Sequence, residues 1–109
     1  WDIFLLIVCC IAHDVDHNGL TNAFHVNSQS PLALMYNDIS VMENHHSSYF
    51  LNVLAREETN LLANCEESLR KEAKQKMVNI ILSTGEIHIL PQLMLACESA
   101  GVATDGVDT

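Results

Sequence analysis

At 109 residues the chain has room for one domain at most. Fourteen acidic residues against five basic ones leave a net charge of −9, which speaks against nucleic-acid backbones and anionic membrane faces as partners. An apolar share of 49% with 17% charged residues describes a globular chain, not a disordered one, and the opening Trp1 in place of an initiator Met points to a processed product or a piece of a longer protein.

The first expected element is the apolar run 3–12. As a helix it is about 15 Å long against a hydrocarbon thickness of about 30 Å, so no membrane span is expected. Asp2 precedes the run and no Lys or Arg does, unlike a secretory signal. A helix apolar on every face needs cover on every face. The run is therefore expected to lie buried on all sides, inside a larger fold, and to continue as helix to Asp16 before the Asn18-Gly19 turn signal. Cys9 and Cys10 lie within it, and with Cys65 and Cys97 they show no C-x-x-C spacing. Buried, reduced thiols of a cytoplasmic protein are expected.

Residues 20–30 read as polar and irregular, and Pro31 is placed to start a short helix reaching Tyr36. Ser40-Val41-Met42-Glu43 fits a capping box, so a helix is expected from 41 to about 57, with Met42, Tyr49, Phe50, Val53 and Leu54 at helical spacing. Residues 68–83 form the next expected helix, with Leu69, Ala73, Met77, Ile80 and Ile81 as its inner stripe and Gly85 at the helix-ending position. Arg70, Lys71, Lys74 and Lys76 alternate with Glu66, Glu67 and Glu72, which describes a solvated face, not a phosphate site. Residues 91–100 are expected to form a last helix stopped by Gly101, with 101–109 as a loop or frayed tail. Strand signals are weak throughout, so the fold class is all-α.

Five of the six histidines fall between positions 13 and 46, and the densest cluster is His13-Asp14-Val15-Asp16-His17. On a helix His13 and His17 lie about 40° apart, with Asp14 about 60° beyond. One face would then carry two imidazoles and a carboxylate, a donor set that suits Zn, Mn, Fe or Mg. Asp14 has two oxygens and can bridge two cations, the arrangement at the heart of two-metal hydrolysis. A helix C-terminus attracts one histidine through its dipole. It does not account for two His and two Asp in five residues directly after ten apolar ones.

Several spaced blocks make the pattern more specific: Ala12-His13-Asp14-Val15-Asp16-His17-Asn18-Gly19, then Asn22-Ala23-Phe24, then Leu34-Met35-Tyr36-Asn37-Asp38, then Ser40-Val41-Met42-Glu43-Asn44-His45-His46. Residues 12–46 resemble the catalytic domain of class I 3′,5′-cyclic-nucleotide phosphodiesterases, a branch of the HD-domain metal hydrolases. The resemblance continues more loosely through Lys76-Met77-Val78 to Ser83-Thr84 and fades after Gly85.

The resemblance implies that the whole chain, 1–109, is a partial phosphodiesterase catalytic domain carrying its metal-site helices. It implies two divalent metal ions, Zn and Mg (or Mn). His13 is similar to a ligand of the tightly held metal, and Asp14 to the carboxylate bridging to the second. His17 is similar to a histidine lining the metal and phosphate pocket, while Glu43 and Thr84 resemble residues that hold waters of the second metal. The implied reaction is in-line hydrolysis of a 3′,5′-cyclic nucleotide to the 5′-monophosphate in signal transduction. The stretch 32–46 is most similar to cAMP-specific members.

Other polar residues have plainer readings. Glu43 also completes the capping box. His45 and His46 form a helix-face pair of which one at most faces the site. Asn22, Tyr36, Asn37 and Asp38 are expected to hold loops, and His25 and His88 not to be ligands. The family carries an acidic residue after the threonine, where this chain has Gly85. Its upstream histidine pair, downstream aspartate ligand and base-reading glutamine have no counterpart here. The rest of a catalytic domain is therefore required, and the chain alone is expected to be inactive. Homodimerisation stays open, as do two other readings: a different HD-domain phosphohydrolase, or a degenerate relative that only packs against another subunit.

Overall fold

A computed structural model describes residues 1–85. They form five α-helices and a short 3-10 turn: α1 (Asp2–Ala12), α2 (Asn22–Asn27), α3 (Pro31–Met35), α4 (Val41–Leu54), the turn Glu57–Thr59, and α5 (Glu67–Ser83). No strand occurs among the described residues, in keeping with the all-α expectation. The expected helix over 91–100 and the tail 101–109 lie outside them, as do His88 and Cys97.

The core is built where α5 crosses α1 and α4. Ala73, Met77 and Ile81 recur every four residues along α5 and pack against Leu5 and Cys9 of α1, Leu54 of α4 and Leu62. Ala73 is fully enclosed, and its lack of bulk lets the helices approach closely. Of the expected inner stripe, Ile80 packs at the edge of this core and Leu69 is half-buried. Lys76 bridges Asp2 at 2.9 Å and Glu72 at 3.1 Å, which ties the start of α1 to α5 and holds the ammonium above its ordinary pKa. Lys71 pairs with Glu67 at 2.9 Å, so the basic stretch is indeed an ion-paired, solvated face.

Within the described residues α1 is covered on one side, and the full cover expected from a larger fold is not supplied by them. Leu5, Leu6, Cys9 and Ala12 are buried, but Ile3, Phe4, Ile7 and Ile11 are exposed, Ile11 by 80%. Among the described residues α5 and α4 cover one face, and nothing lies over the stripe at 3, 7 and 11. Cys10 is exposed as well and Cys65 half-buried, so among the described residues Cys9 alone answers to the description of a buried thiol; no disulfide joins Cys9, Cys10 and Cys65.

Local chemistry sets three boundaries differently from the sequence reading. Helix α1 stops at Ala12, not Asp16, because His13 Nδ1 lies 2.7 Å from the Cys10 carbonyl, the acceptor that a continuing helix would offer to the Asp14 N–H. Residues 20–30 are not irregular. Thr21 Oγ1 accepts from the Phe24 N–H at 3.1 Å and starts α2. Ser30 Oγ accepts from the Ala33 N–H at 3.2 Å and starts α3, with Pro31 in its first turn. Helix α4 ends at Leu54, ahead of the expected 57, and the turn Glu57–Thr59 follows. Gly85 is not a left-handed cap, because the end of α5 at Thr84 is right-handed and Gly19 carries the positive φ among the described glycines.

Burial pushes the Cys9 thiol up to about 12, with Cys10 adding to the shift, so almost no thiolate exists at neutral pH. Iodoacetamide is expected to spare Cys9 in the folded chain and to label it on denaturation, read by mass spectrometry. Met77→Ala should lower the unfolding free energy by about 2–5 kcal/mol and speed Cys9 labelling. Equal labelling of Cys9 in native and denatured chain would contradict this packing.

Candidate active site

The acidic turn after α1 meets the buried face of α4. His13 Nδ1 donates to the Cys10 carbonyl, which leaves the Nε2 lone pair of the neutral ring facing Asp14 Oδ2 at 3.1 Å. His46 repeats the device. Its Nδ1 lies 2.6 Å from the Val15 carbonyl, and its Nε2 lies 3.9 Å from Asp14 Oδ1. Two imidazoles thus have their tautomers set by backbone carbonyls and direct a nitrogen at one carboxylate, the orientation that partner groups impose on metal-binding histidines.

His17 is held in the opposite sense. The Gly19 N–H donates to its Nδ1 at 2.8 Å, so the proton of the neutral ring sits on Nε2. Its ring stacks on His46 with centroids 5.4 Å apart. The geometry differs from the expected helical face: residues 13–16 form a turn in which Asp16 has φ +55°. The turn, not a helix face, gathers His13, Asp14 and His17 around His46.

Glu43 takes no part in a capping box. Ser40 has left-handed backbone at φ +41° and its side chain caps nothing. Asn22 of α2 does that work instead, since its Oδ1 accepts from the Met42 N–H at 2.9 Å. The Asn22 amide also donates to both oxygens of Glu43, at 3.2 and 2.9 Å. Asn22 was expected to hold a loop; it holds a candidate site carboxylate. Glu43 lies three residues before His46, so both project from neighbouring positions on α4.

Both members of the histidine pair meet the acidic turn, and one of them faces a candidate site residue: His46 faces Asp14, while His45 Nε2 reaches Asp16 Oδ2 at 2.9 Å. His25 is partnered on both nitrogens, by Ser30 at 2.6 Å and Asn18 at 3.1 Å. Thr84 donates its hydroxyl to the Ile81 carbonyl at 2.7 Å, and the next residue, Gly85, lies against Glu43. Asn37 and Asp38 occupy left-handed turn positions at φ +57° and +62°.

Among the described residues no group of three or more His, Cys, Asp or Glu side chains is set to hold a metal ion. His13 and Asp14 nevertheless suit one in kind. Two lone-pair donors at 3.1 Å repel unless a cation or an added proton lies between them. Zinc centres usually take three or four protein ligands, so this pair supplies part of a set.

The sequence matches the family described as 3′5′-cyclic nucleotide phosphodiesterase over residues 1–93. The chain belongs to the 3′5′-cyclic nucleotide phosphodiesterase family. The match begins before residue 12 and runs past Gly85, wider than the blocks that first suggested it. Within this phosphodiesterase family, the chain is 45% identical over 83 residues to the 3′,5′-cyclic-nucleotide phosphodiesterase regA of Dictyostelium discoideum, covering 76% of this chain and 10% of that protein. It is 42% identical over 105 residues to a Drosophila melanogaster 3′,5′-cyclic-AMP phosphodiesterase, isoform F, covering 94% of this chain and 16% of the relative. A human high affinity cGMP-specific 3′,5′-cyclic phosphodiesterase 9A is 40% identical over 83 residues, which is 76% of this chain and 14% of that one. The phosphodiesterase domain of a RhoPDE fusion protein from the choanoflagellate Salpingoeca rosetta superposes with a TM-score of 0.75 at 44% identity, covering 78% of this chain and 27% of that domain's chain. The chain thus spans a small part of the relatives it matches, and all four sequence blocks between residues 12 and 46 fall inside the family match.

Two outcomes follow from this geometry. Asn22→Ala should destabilise the chain by about 1–2 kcal/mol, whereas Ser40→Ala should stay within about 0.5 kcal/mol. Denaturant midpoints compare the two, and the reverse order would return the cap to Ser40. The second outcome concerns pH. Burial holds the His46 ring below its ordinary 6.5, against the partial support of the Val15 carbonyl and Asp14. The unfolded chain then binds more protons below that value, so stability rises with pH through this window. Its contribution is fully present above 6.5 and is lost as pH falls below it. In His46→Gln the decline of the unfolding midpoint between about pH 7 and pH 5 should be shallower; an unchanged slope would remove His46 as the cause.

Proposed function

We propose that this chain forms the metal-centre helices of an enzyme that hydrolyses 3′,5′-cyclic nucleotides to 5′-monophosphates, with cAMP preferred over cGMP. The observation that carries the reading is the convergence of His13 and His46 on Asp14, within a chain of the cyclic nucleotide phosphodiesterase family. The preference for cAMP rests on the stretch 32–46 alone, since relatives named for each nucleotide match the chain.

His13 would hold a zinc ion through Nε2, and Asp14 would bridge to a magnesium or manganese ion. Bound together, two such cations lower the pKa of water and neutralise charge on the reacting phosphate. The chain's own residues arrange what surrounds them. The Cys10 carbonyl fixes the His13 tautomer that can ligate. His17, with its proton on Nε2, is suited to donate to a phosphate oxygen. Glu43, fixed by Asn22, and Thr84, beside Gly85 at the end of α5, would orient water at the second cation. Remaining ligands, and a group to protonate the leaving 3′-oxygen, come from the rest of a catalytic domain. A cytoplasmic setting, in which thiols such as Cys9 stay reduced, is part of the same reading.

The test is Asp14→Ala in an enzyme that carries this segment with a complete catalytic domain. Loss of several kcal/mol of transition-state stabilisation, about a thousandfold in kcat, is expected together with loss of the second metal. Near-normal kcat and metal content would overturn the assignment. The 109-residue chain by itself should show no turnover of cAMP or cGMP with Zn²⁺ and Mg²⁺ supplied. Turnover that survives contamination controls would show that the site is complete without further segments. A cooperatively folding, complete catalytic domain without turnover would favour a packing partner instead.

A further inference from the structure

We propose that Gly85 is a positioning residue for Glu43: its missing side chain leaves the space in which the Glu43 carboxylate is clamped by Asn22. The metal-facing part of this inference rests on the role proposed above for Glu43. The steric part rests on coordinates alone. A Cβ built on Gly85 would lie 2.6 Å from both Cγ and Oε1 of Glu43, far inside van der Waals contact. Gly19, by contrast, has open space around it.

Glycine is not needed at 85 for its backbone. Its φ lies outside the left-handed region, and its N–H points back to the Leu82 carbonyl at 3.4 Å, as the last turn of α5 dictates. Alanine at such a position would ordinarily stabilise a chain by restricting its unfolded state. Here the atoms it would strike, Cγ, Cδ and Oε1 of Glu43, all belong to one flexible side chain and none to the backbone. The clash is therefore relieved by moving the carboxylate, not by unfolding α4 or α5. A displaced Glu43 gives up its bonds to the Asn22 amide, the same side chain that caps α4 through Met42.

The coupling is tested by following the Asn22 side-chain amide in ¹⁵N NMR spectra of the full chain, and by Mn²⁺ titration, read by electron paramagnetic resonance, of an enzyme that carries this segment with a complete catalytic domain. Gly85→Ala should move the Asn22 resonance toward its position in Glu43→Ala. It should also weaken Mn²⁺ binding by about 10–100-fold, as loss of an outer-sphere group does. In a Glu43→Ala background the same substitution should change neither reading. An Asn22 resonance unmoved by Gly85→Ala, or one moved equally in both backgrounds, overturns the proposal. Should Gly85→Ala alone fail to fold, the double variant decides: recovery of the fold supports the clash with Glu43, and failure overturns it. Wild-type Mn²⁺ affinity in Glu43→Ala would overturn the metal role of Glu43, while the Asn22 resonance still judges the steric coupling by itself.

Discussion

The bond from the His13 ring to the Cys10 carbonyl decides where α1 ends, and most of the site depends on that ending. A helix continued to Asp16 would carry residues 13–16 along its axis. Stopping at Ala12 lets the chain fold into a turn whose carboxylates and carbonyls meet α4. Asp14 and the Val15 carbonyl then reach His46, and Asp16 reaches His45. Leu5 and Cys9, further back on α1, pack with Met77 and Ile81, so one short helix carries core residues along its length and the site at its end.

Much of this arrangement was legible in the sequence because it is local. The four-residue spacing of Ala73, Met77 and Ile81 gave α5 and its inner face, and Pro31 gave the start of α3. Family blocks brought His13, Asp14, His17 and Glu43 into one region without a structure. What escaped was set by contacts distant along the chain. Ser40 looked like the cap of α4 because a serine precedes a glutamate by three residues. The actual cap lies twenty positions upstream in Asn22, and no local rule weighs that alternative. The contact of His45 with Asp16 escaped for a related reason: Asp16 is left-handed, which a helical wheel cannot represent.

The apolar run 3–12 shows what composition leaves open about burial. Its residues are apolar on all sides, yet packing depends on which neighbours arrive. Within the described residues they arrive on one side, against Leu5, Leu6, Cys9 and Ala12. Sequence gives the need for cover, while structure gives the faces that have it.

The stretch from the end of α1 to the start of α4 carries Asp16, Gln29, Asn37, Asp38 and Ser40 in left-handed backbone, none of them glycine. Each such residue costs of the order of 1 kcal/mol, and the short helices α2 and α3 return little of it on their own. The segment therefore owes its shape to a few long bonds, chiefly those of Asn22 and His46. Its amide hydrogens should exchange with solvent through local openings well below the energy that frees α5. A ligand that joins this segment to α4 would close those openings, so binding would be written most strongly in the exchange protection of residues 16–40 and hardly at all in the core.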